Sequence, residues 1–456
     1  MNNFIIYDLE TTGKDERNFI QAIQIGSILL DHNLNELDVH NISCRPLPWT
    51  LVTPDSILIN RKLDVFNEDM NHYEFIKALF NKWTNWVSTN NAVFVTYNGM
   101  FFDEEILRRQ FYWNLFNPYF TNTNGNSRLD LLPKMYVMAK FYSDLITIPT
   151  IDGKQNFKLE NFAKSLKIDT TDAHDALADC YFLKALLDKI SKSVPNYYNE
   201  IVATTSKQDF ISSLQNHSIH FLVTRYGNFF PYVCLNPDVG ASKLILFNLN
   251  HDPDLINQLS YQDLEKLVNS SNTPIKMVSP SKSLSSICLN TVIKDNIHIE
   301  NLDKFQERAR SLQSMQGLLE KIIDIDLTKD PTAYSCEHPE ERIYSDGFPN
   351  QILKNKFENF HATTTATEMI DLVNKIDDFK YKIFAKRICA LQYPNEVPHE
   401  YLHECKNLIH ERFCTDGPWP NAKENLNRTK ALLEKEINEE NIKILNIVQK
   451  NIEQNI

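Results

Sequence analysis

The sequence predicts an α/β domain with a mixed sheet at its N-terminal end, then a smaller β domain, then an all-helical region. Three observations predict this. As far as about Pro195, short apolar runs alternate with segments of helical periodicity, the pattern of a sheet covered by helices. From about Asn196, period-2 alternation takes over, and from about Ile352 nearly every window has helical spacing. At 456 residues the chain exceeds one ordinary core, so three domains are expected, over 1–195, 196–350 and 351–456.

Phe4, Ile5, Ile6 and Tyr7 read as a buried strand bounded by the turn signal at Gly13. Ala22 to Leu30 is a second strand and Ile42 to Arg45 a third. A helix is expected over Tyr73 to Val87, where Phe75, Leu79 and Trp83 recur at helical spacing. Val93 to Tyr97 is a strand, Asn98-Gly99 a turn, and Phe102 to Phe116 a helix that starts at Asp103. Leu159 to Leu166 forms a short helix, and Asp175 to Ile190 a longer one with Ala176, Cys180, Leu183, Leu187 and Ile190 on one face. In the second region Ser218 to Arg225, Phe229 to Leu235 and Lys243 to Leu249 alternate as strands, with a hairpin turn at Tyr226-Gly227-Asn228. Helices are expected at Tyr261 to Asn269 and Leu302 to Ile323, and one long charged helix over Asn421 to Gln454.

Apolar residues at 42% and aromatics at 11% supply the cores. No window approaches eighteen uninterrupted apolar residues and no basic-then-apolar signal segment opens the chain, so a soluble, cytoplasmic protein without a membrane partner is expected. The eight cysteines are scattered without a CxxC pair or a zinc-type cluster, and read as reduced thiols. A formal charge of −12 argues on its own against a nucleic-acid partner. An acidic site and a basic track can share one chain, so the charge distribution decides.

The chemistry starts from Asp8 and Glu10. Alternate side chains of a strand share a face, so both carboxylates point the same way, with Leu9 opposite. Unpaired at the edge of a core they would repel, and a hard divalent cation is their natural partner. Asp103 stands where a helix begins, which also suits a simple N-cap. In AHDALAD, His174 and Asp179 are five residues apart, about 140° of helical rotation, so they cannot share a face of one helix. His174 is expected in the loop before it. Four acids at strand ends and helix starts with one loop histidine match the needs of two-metal phosphodiester hydrolysis. Asp8, Glu10 and Asp179 would hold one Mg²⁺, and Asp8 would bridge to a second, with Asp103 reaching it through water. An imidazole titrates near neutrality and could take the proton of the attacking water.

YDLETTG, YNGMFFDEE and AHDALAD resemble, as a set, the three motifs of the DEDDh superfamily of 3′ to 5′ exonucleases. The longer resemblance, through EEILRRQFYWNLFNPYF, NSRLDLL and FKLENFAKSL, is to the bacterial exodeoxyribonuclease I family. It continues loosely through IKMVSPSKSL and through Tyr344 with Gly347 and Phe348. This implies an RNase H-like nuclease domain, an SH3-like domain and a helical domain. It also implies removal of 5′-mononucleotides from the 3′ end of single-stranded DNA in repair and recombination, with two Mg²⁺ ions for which Mn²⁺ could substitute.

The resemblance further implies that Asp8, Glu10, Asp103, His174 and Asp179 are catalytic. Glu10, Lys158, Arg108, Tyr119 and Arg128 would contact substrate, and Asp130 would fit the same groove. Lys158 stands where the family has Arg, and Thr12 where relatives carry an aromatic wedge. Tyr226, Phe229, Phe230 and Tyr232 are either stacking candidates or core. The family's arginine-rich run is reduced here to FAKRICALQYP, keeping Lys386 and Arg387 as a reduced site for the acidic tail of single-stranded DNA-binding protein. A monomer is expected. Two other readings are an exoribonuclease or proofreading-type exonuclease, whose chains end near Ile190, and a catalytically silent nucleic-acid-binding scaffold.

Overall fold

The computed structural model describes residues 2–171, 173–281, 283–327 and 336–454. Lys282, within the IKMVSPSKSL run, lies outside the described residues. Strands β1 (Asn3–Thr11), β2 (Ala22–Leu30), β3 (Glu36–Ser43), β4 (Ala92–Thr96) and β5 (Ser127–Asp130) form a mixed sheet in the order β3-β2-β1-β4-β5. The first three pair antiparallel, and β4 and β5 join parallel to β1. Six helices accompany it: α1 (Pro54–Asn60), α2 (His72–Trp86), α3 (Asp103–Trp113), α4 (Leu132–Phe141), α5 (Leu159–Ser165) and α6 (Ala176–Ser193). The third strand begins at Glu36 instead of Ile42, because its apolar residues there, Leu37 and Val39, are isolated among polar ones and none of the strand is fully buried.

Strand alternation sorts β1 onto two cores. Phe4 and Ile6 pack with Met135 and Met138 of α4 and with Cys180, Leu183, Leu187 and Ile190 of α6. Ile5, Tyr7 and Leu9 face Phe75, Leu79 and Trp83 of α2 and Ile106 and Phe111 of α3. Asp8 and Glu10 continue the row of Phe4 and Ile6, on the side covered by α6.

Helices Pro195–Ala203 and Lys207–Ser213 lead to a second sheet, antiparallel throughout, ordered Ile275–Val278, Leu244–Asn248, Phe229–Cys234, His220–Val223, Ser286–Cys288. Gly227, at φ +80°, makes its hairpin turn. Phe221, Val233 and Phe247 extend the α6-side core, while the helices after Asn350 extend the other through Phe357, Phe360, Tyr381 and Phe384. The first sheet is thereby flanked on both sides. Of the hairpin aromatics, Tyr226 projects into solvent, Phe229 packs on Phe141 and Phe221, and Tyr232 is core.

Two expected single helices are pairs. The segment from Leu302 divides into Leu302–Leu312 and Gln316–Leu327, where Ser314 and Met315 turn back onto the carbonyls of Ser311 and Leu312. The C-terminal one divides into Ala422–Leu433 and Glu439–Gln454, because Asn438 accepts the amides of Glu440 and Asn441 and starts a new helix. No helix among the described residues is long and apolar enough to cross a membrane.

Candidate active site

Asp8 lies opposite Gly26 in the β1–β2 ladder. A Cβ on Gly26 would stand 2.4 Å from the amide nitrogen of Leu177 and 2.5 Å from the carbonyl carbon of Ala176. Only a glycine there lets the first turn of α6 rest on β2. That helix starts at Asp175, whose Oδ1 accepts the amides of Leu177 and Ala178 at 3.1 and 3.2 Å. One turn on, Asp179 meets the strand carboxylates. Ligand oxygens of Asp8, Glu10 and Asp179 all lie within 4.8 Å of one another.

Asp103 reaches the same place from α3. It is the first residue of that helix, not its cap: Phe102 holds the N-cap position without a side-chain bond. The Asp103 carboxylate instead accepts its own amide and that of Leu9. The turn ahead of it is fixed by Asp130, 1% exposed, which accepts the amides of Asn98 (2.7 Å) and Met100 (3.2 Å). Asp130 is therefore a buried brace for Asp103, not a groove residue.

Burial raises the pKa of every member, and repulsion from nearby carboxylates adds to it. Asp8 and Glu10 are held well above the usual carboxylate range by burial first, then by the neighbouring aspartates, with Lys62 opposing at Glu10. Burial pushes Asp103 up to about 7 against its two amide bonds. It pushes Asp179 up to about 6, against the amide of His174. A set of oxygen donors with excess negative charge in a largely buried setting fits a hard divalent cation.

His174 occupies the loop before α6 in the left-handed region, φ +70°. Its backbone amide serves Asp179, and its exposed imidazole acts electrostatically on Glu160. Lys158 is exposed at the N-cap of α5 and also acts on Glu160. The structure thus converges four carboxylates and keeps Lys158 and His174 at the rim.

The residues expected in the substrate groove divide differently. Arg108 is only 9% exposed, and its guanidinium bonds Glu104 at 3.1 Å while lying 4.9 Å from the centre of the Tyr119 ring. Arg128 bonds the same Glu104 oxygen at 2.8 Å. Glu104 also accepts from Tyr7 and Thr121, so it is a buried hub that consumes both arginines. Half-buried Tyr119 meets Phe348 edge-on, 5.1 Å between centroids, and Phe348 is 74% exposed. Thr12 is fully buried, its hydroxyl accepting the amide of Gln21. Lys386 is paired with Glu400 and Glu404, and Arg387 with Glu340. Sequence reasoning missed Glu104 and Lys62; the acidic run Asp103-Glu104-Glu105 was the one signal for the former.

Residues 5–187 match the family model described as Exonuclease. Among characterised relatives, the chain is similar to exodeoxyribonuclease I of Buchnera aphidicola subsp. Acyrthosiphon pisum, 27% identical over 307 residues, covering 66% of this chain and 68% of that one. It is similar also to exodeoxyribonuclease I of Escherichia coli, 25% identical over 233 residues, 50% of this chain and 48% of that one. Among solved structures, exonuclease I from Methylocaldum szegediense superposes with a TM-score of 0.82 at 22% identity, over 100% of both chains. E. coli exonuclease I in complex with a dA16 oligonucleotide superposes at 0.83 and 19% identity, again over 100% of both. The first sheet with its helices, the second sheet and the helical region thus share one fold with those proteins from end to end.

Proposed function

We propose that this chain is a metal-dependent exodeoxyribonuclease that removes 5′-mononucleotides from the 3′ end of single-stranded DNA. The observation that carries the reading is the meeting of Asp8, Glu10 and Asp179 within 4.8 Å, on a stretch that matches the exonuclease family model. The names of the curated relatives, and the oligonucleotide bound to the E. coli structure, support the substrate class.

Asp8, Glu10 and Asp179 would hold the metal, with Asp103 beside them for a second ion. Bound Mg²⁺, or Mn²⁺ in its place, would supply a lowered water pKa and charge stabilisation at the phosphate. The protein's own part is positional. Burial keeps bulk water from screening the acids, Gly26 and Asp175 fix the α6 turn that presents Asp179, and Asp130 fixes the turn that presents Asp103. His174, exposed beside the cluster, is the group suited to take a proton. Phe348 with Tyr119 offers an aromatic surface on which bases stack. Work on single strands would place the enzyme in DNA repair and recombination. Its partner at the acidic tail of single-stranded DNA-binding protein would be held weakly, since Lys386 and Arg387 already carry carboxylates of their own.

Incubating 3′- and 5′-labelled oligonucleotides with Mg²⁺ or with chelator tests the reading. Metal-dependent release of 5′-mononucleotide from the 3′ end is expected. Equal release with chelator, or preference for RNA, would overturn it.

A further inference from the structure

The strand that carries Asp8 and Glu10 does not end freely. The β1–β2 ladder shifts register between Glu10 and Thr11, whose partners are Gln24 and Ala22 with Ile23 passed over. From Thr11 onward α1 takes over as support. Thr53, the N-cap of α1, donates its amide to the Thr12 carbonyl at 2.8 Å. The Thr11 carbonyl, one residue beyond Glu10, accepts from the hydroxyl of Ser56 and from Nδ2 of Asn60, the latter at 3.3 Å.

Asn60 is the last residue of α1 and only 3% exposed. Both ends of its amide are used. Nδ2 serves Thr11 and lies 3.4 Å from Oγ of Ser56, while Oδ1 accepts the backbone amide of Lys62 at 3.1 Å. The reverse orientation would set oxygen against the Thr11 carbonyl and N–H against N–H, so the network admits one orientation of the side chain. Arg61, between the two, takes the left-handed conformation of a helix end, at φ +60°. That turn brings the Lys62 amide back to Asn60. The Lys62 ammonium in turn stands 2.6 Å from Oδ2 of Asp175, the N-cap of the helix whose first turn presents Asp179. One buried amide thus joins the strand of Glu10 to the turn that holds the helix of Asp179.

The base of this bridge is fixed from the far end of the chain. Ile57 of α1, fully buried, packs with Phe413, Ala422, Ile444 and Val448. At its rim Arg428 bonds both carboxylate oxygens of Asp55, at 2.6 and 2.9 Å. The C-terminal helices therefore keep α1 from following either element it joins.

We infer that Asn60 is a positioning residue for the metal-holding carboxylates: by fixing the end of β1 and the Lys62 turn to one another, it sets the separation of Glu10 from Asp179. This rests on the proposed reading of those carboxylates as the metal site of a nuclease. Mn²⁺ calorimetry without substrate, and kcat and KM on a labelled oligonucleotide, test it in Asn60→Ala, Ser56→Ala, Lys62→Met and the double variant Asn60→Ala with Lys62→Met, all below their melting transitions. Asn60→Ala should bind Mn²⁺ roughly fivefold to tenfold more weakly and lose about tenfold in kcat with KM little changed, inside the ~10²-fold that an ångström-scale misplacement costs. Ser56→Ala leaves the bridge in place and should lose less. Because Asn60 acts through Lys62, adding Asn60→Ala to Lys62→Met should cost less than adding it to the wild type. Should Asn60→Ala not fold, Asn60→Ser, too short to reach both partners, takes its place. Wild-type Mn²⁺ affinity and kcat in the folded Asn60 variant, an equal fall in Ser56→Ala, or fully multiplicative losses in the double variant would each overturn the inference. Weakened Mn²⁺ binding in the Asn60 variant, with a wild type that releases no nucleotide, would uphold it and count against the proposed reaction alone.

Discussion

The Nζ of Lys62 stands 2.6 Å from Oδ2 of Asp175, tying the end of α1 to the N-cap of α6. Gln24 of β2 donates to the same oxygen at 2.9 Å and accepts the amide of Ala176 at 3.3 Å. Strand, loop and helix are thus knotted one turn away from Asp179. Lys62 is also the cation that opposes the raised pKa of Glu10. It therefore shapes the site in two ways, through the position of α6 and through charge.

Lys62→Met should free the start of α6 and lower exonuclease activity roughly tenfold, with a stability cost of about 1–3 kcal/mol for a charged hydrogen bond lost from a mostly buried pair. Lys62→Arg should recover most of the rate, since it restores both tether and charge. Steady-state rates together with Mg²⁺ titration of the three proteins check this. If Lys62→Met and Lys62→Arg fell equally, the tether would not be the reason.

Removing a carboxylate should separate chemistry from folding. Asp8→Ala or Asp179→Ala should abolish cleavage while metal-free stability stays level or rises, because a buried like charge has gone. Single-strand binding should remain. Thermal melts in chelator and oligonucleotide binding by anisotropy measure these, and near wild-type Mg²⁺-dependent cleavage by Asp8→Ala would refute the site.

The raised carboxylates also predict a pH dependence of metal-free stability. A carboxyl whose folded pKa exceeds its unfolded value binds protons more tightly when folded, so its contribution is lost as pH rises through the folded pKa. For Asp179 and Asp103, raised from 3.8 to about 6 and about 7, stability should therefore fall as pH rises from about 4 to about 7. His72 and His361, lowered to about 4 by burial, act oppositely, costing stability as pH falls below the imidazole's usual value. The cluster is isolated by subtraction. Between about pH 4 and 7 the wild type should lose more stability than Asp8→Asn, and identical slopes in denaturant titrations would contradict the shifts.

Much of this architecture is legible in the residues. β1 declares itself by an unbroken apolar run, and its period of two places Asp8 and Glu10 on one face with no further information. The spacing of His174 and Asp179 likewise excludes one helix for both. Partners distant in sequence are harder. Glu104 and Arg108 are four residues apart on α3 and readable as a pair, but nothing near Arg128 shows that the same carboxylate will take it too, since only the folded sheet brings β5 against the start of α3. Asp130 reads as a groove acid because its buried amide partners, Asn98 and Met100, belong to another loop. Helix breaks at Ser314 and Asn438 escape a periodicity that continues across them.

Gly26 converts one of those long-range contacts into a test. Gly26→Ala would place a methyl 2.4–2.5 Å from the backbone of Ala176 and Leu177. Backbone cannot step aside as a side chain can, so α6 must lift from β2, at about 1–3 kcal/mol. Activity should fall further than that stability loss implies, because Asp179 moves with the helix. A rate defect that disappears below the melting transition would show simple destabilisation instead.

His174→Ala closes the set with a graded expectation. Loss of a general base costs ~10²- to 10⁴-fold, less than loss of a metal-holding carboxylate. The imidazole is exposed and touches the cluster through its backbone amide, which the substitution keeps. Mg²⁺ affinity, read by calorimetry, should therefore be close to wild type while cleavage is slow but measurable. If His174→Ala lost metal affinity, or cleaved at the wild-type rate, the residue would act by holding the loop over Asp179, and the proton would need another acceptor.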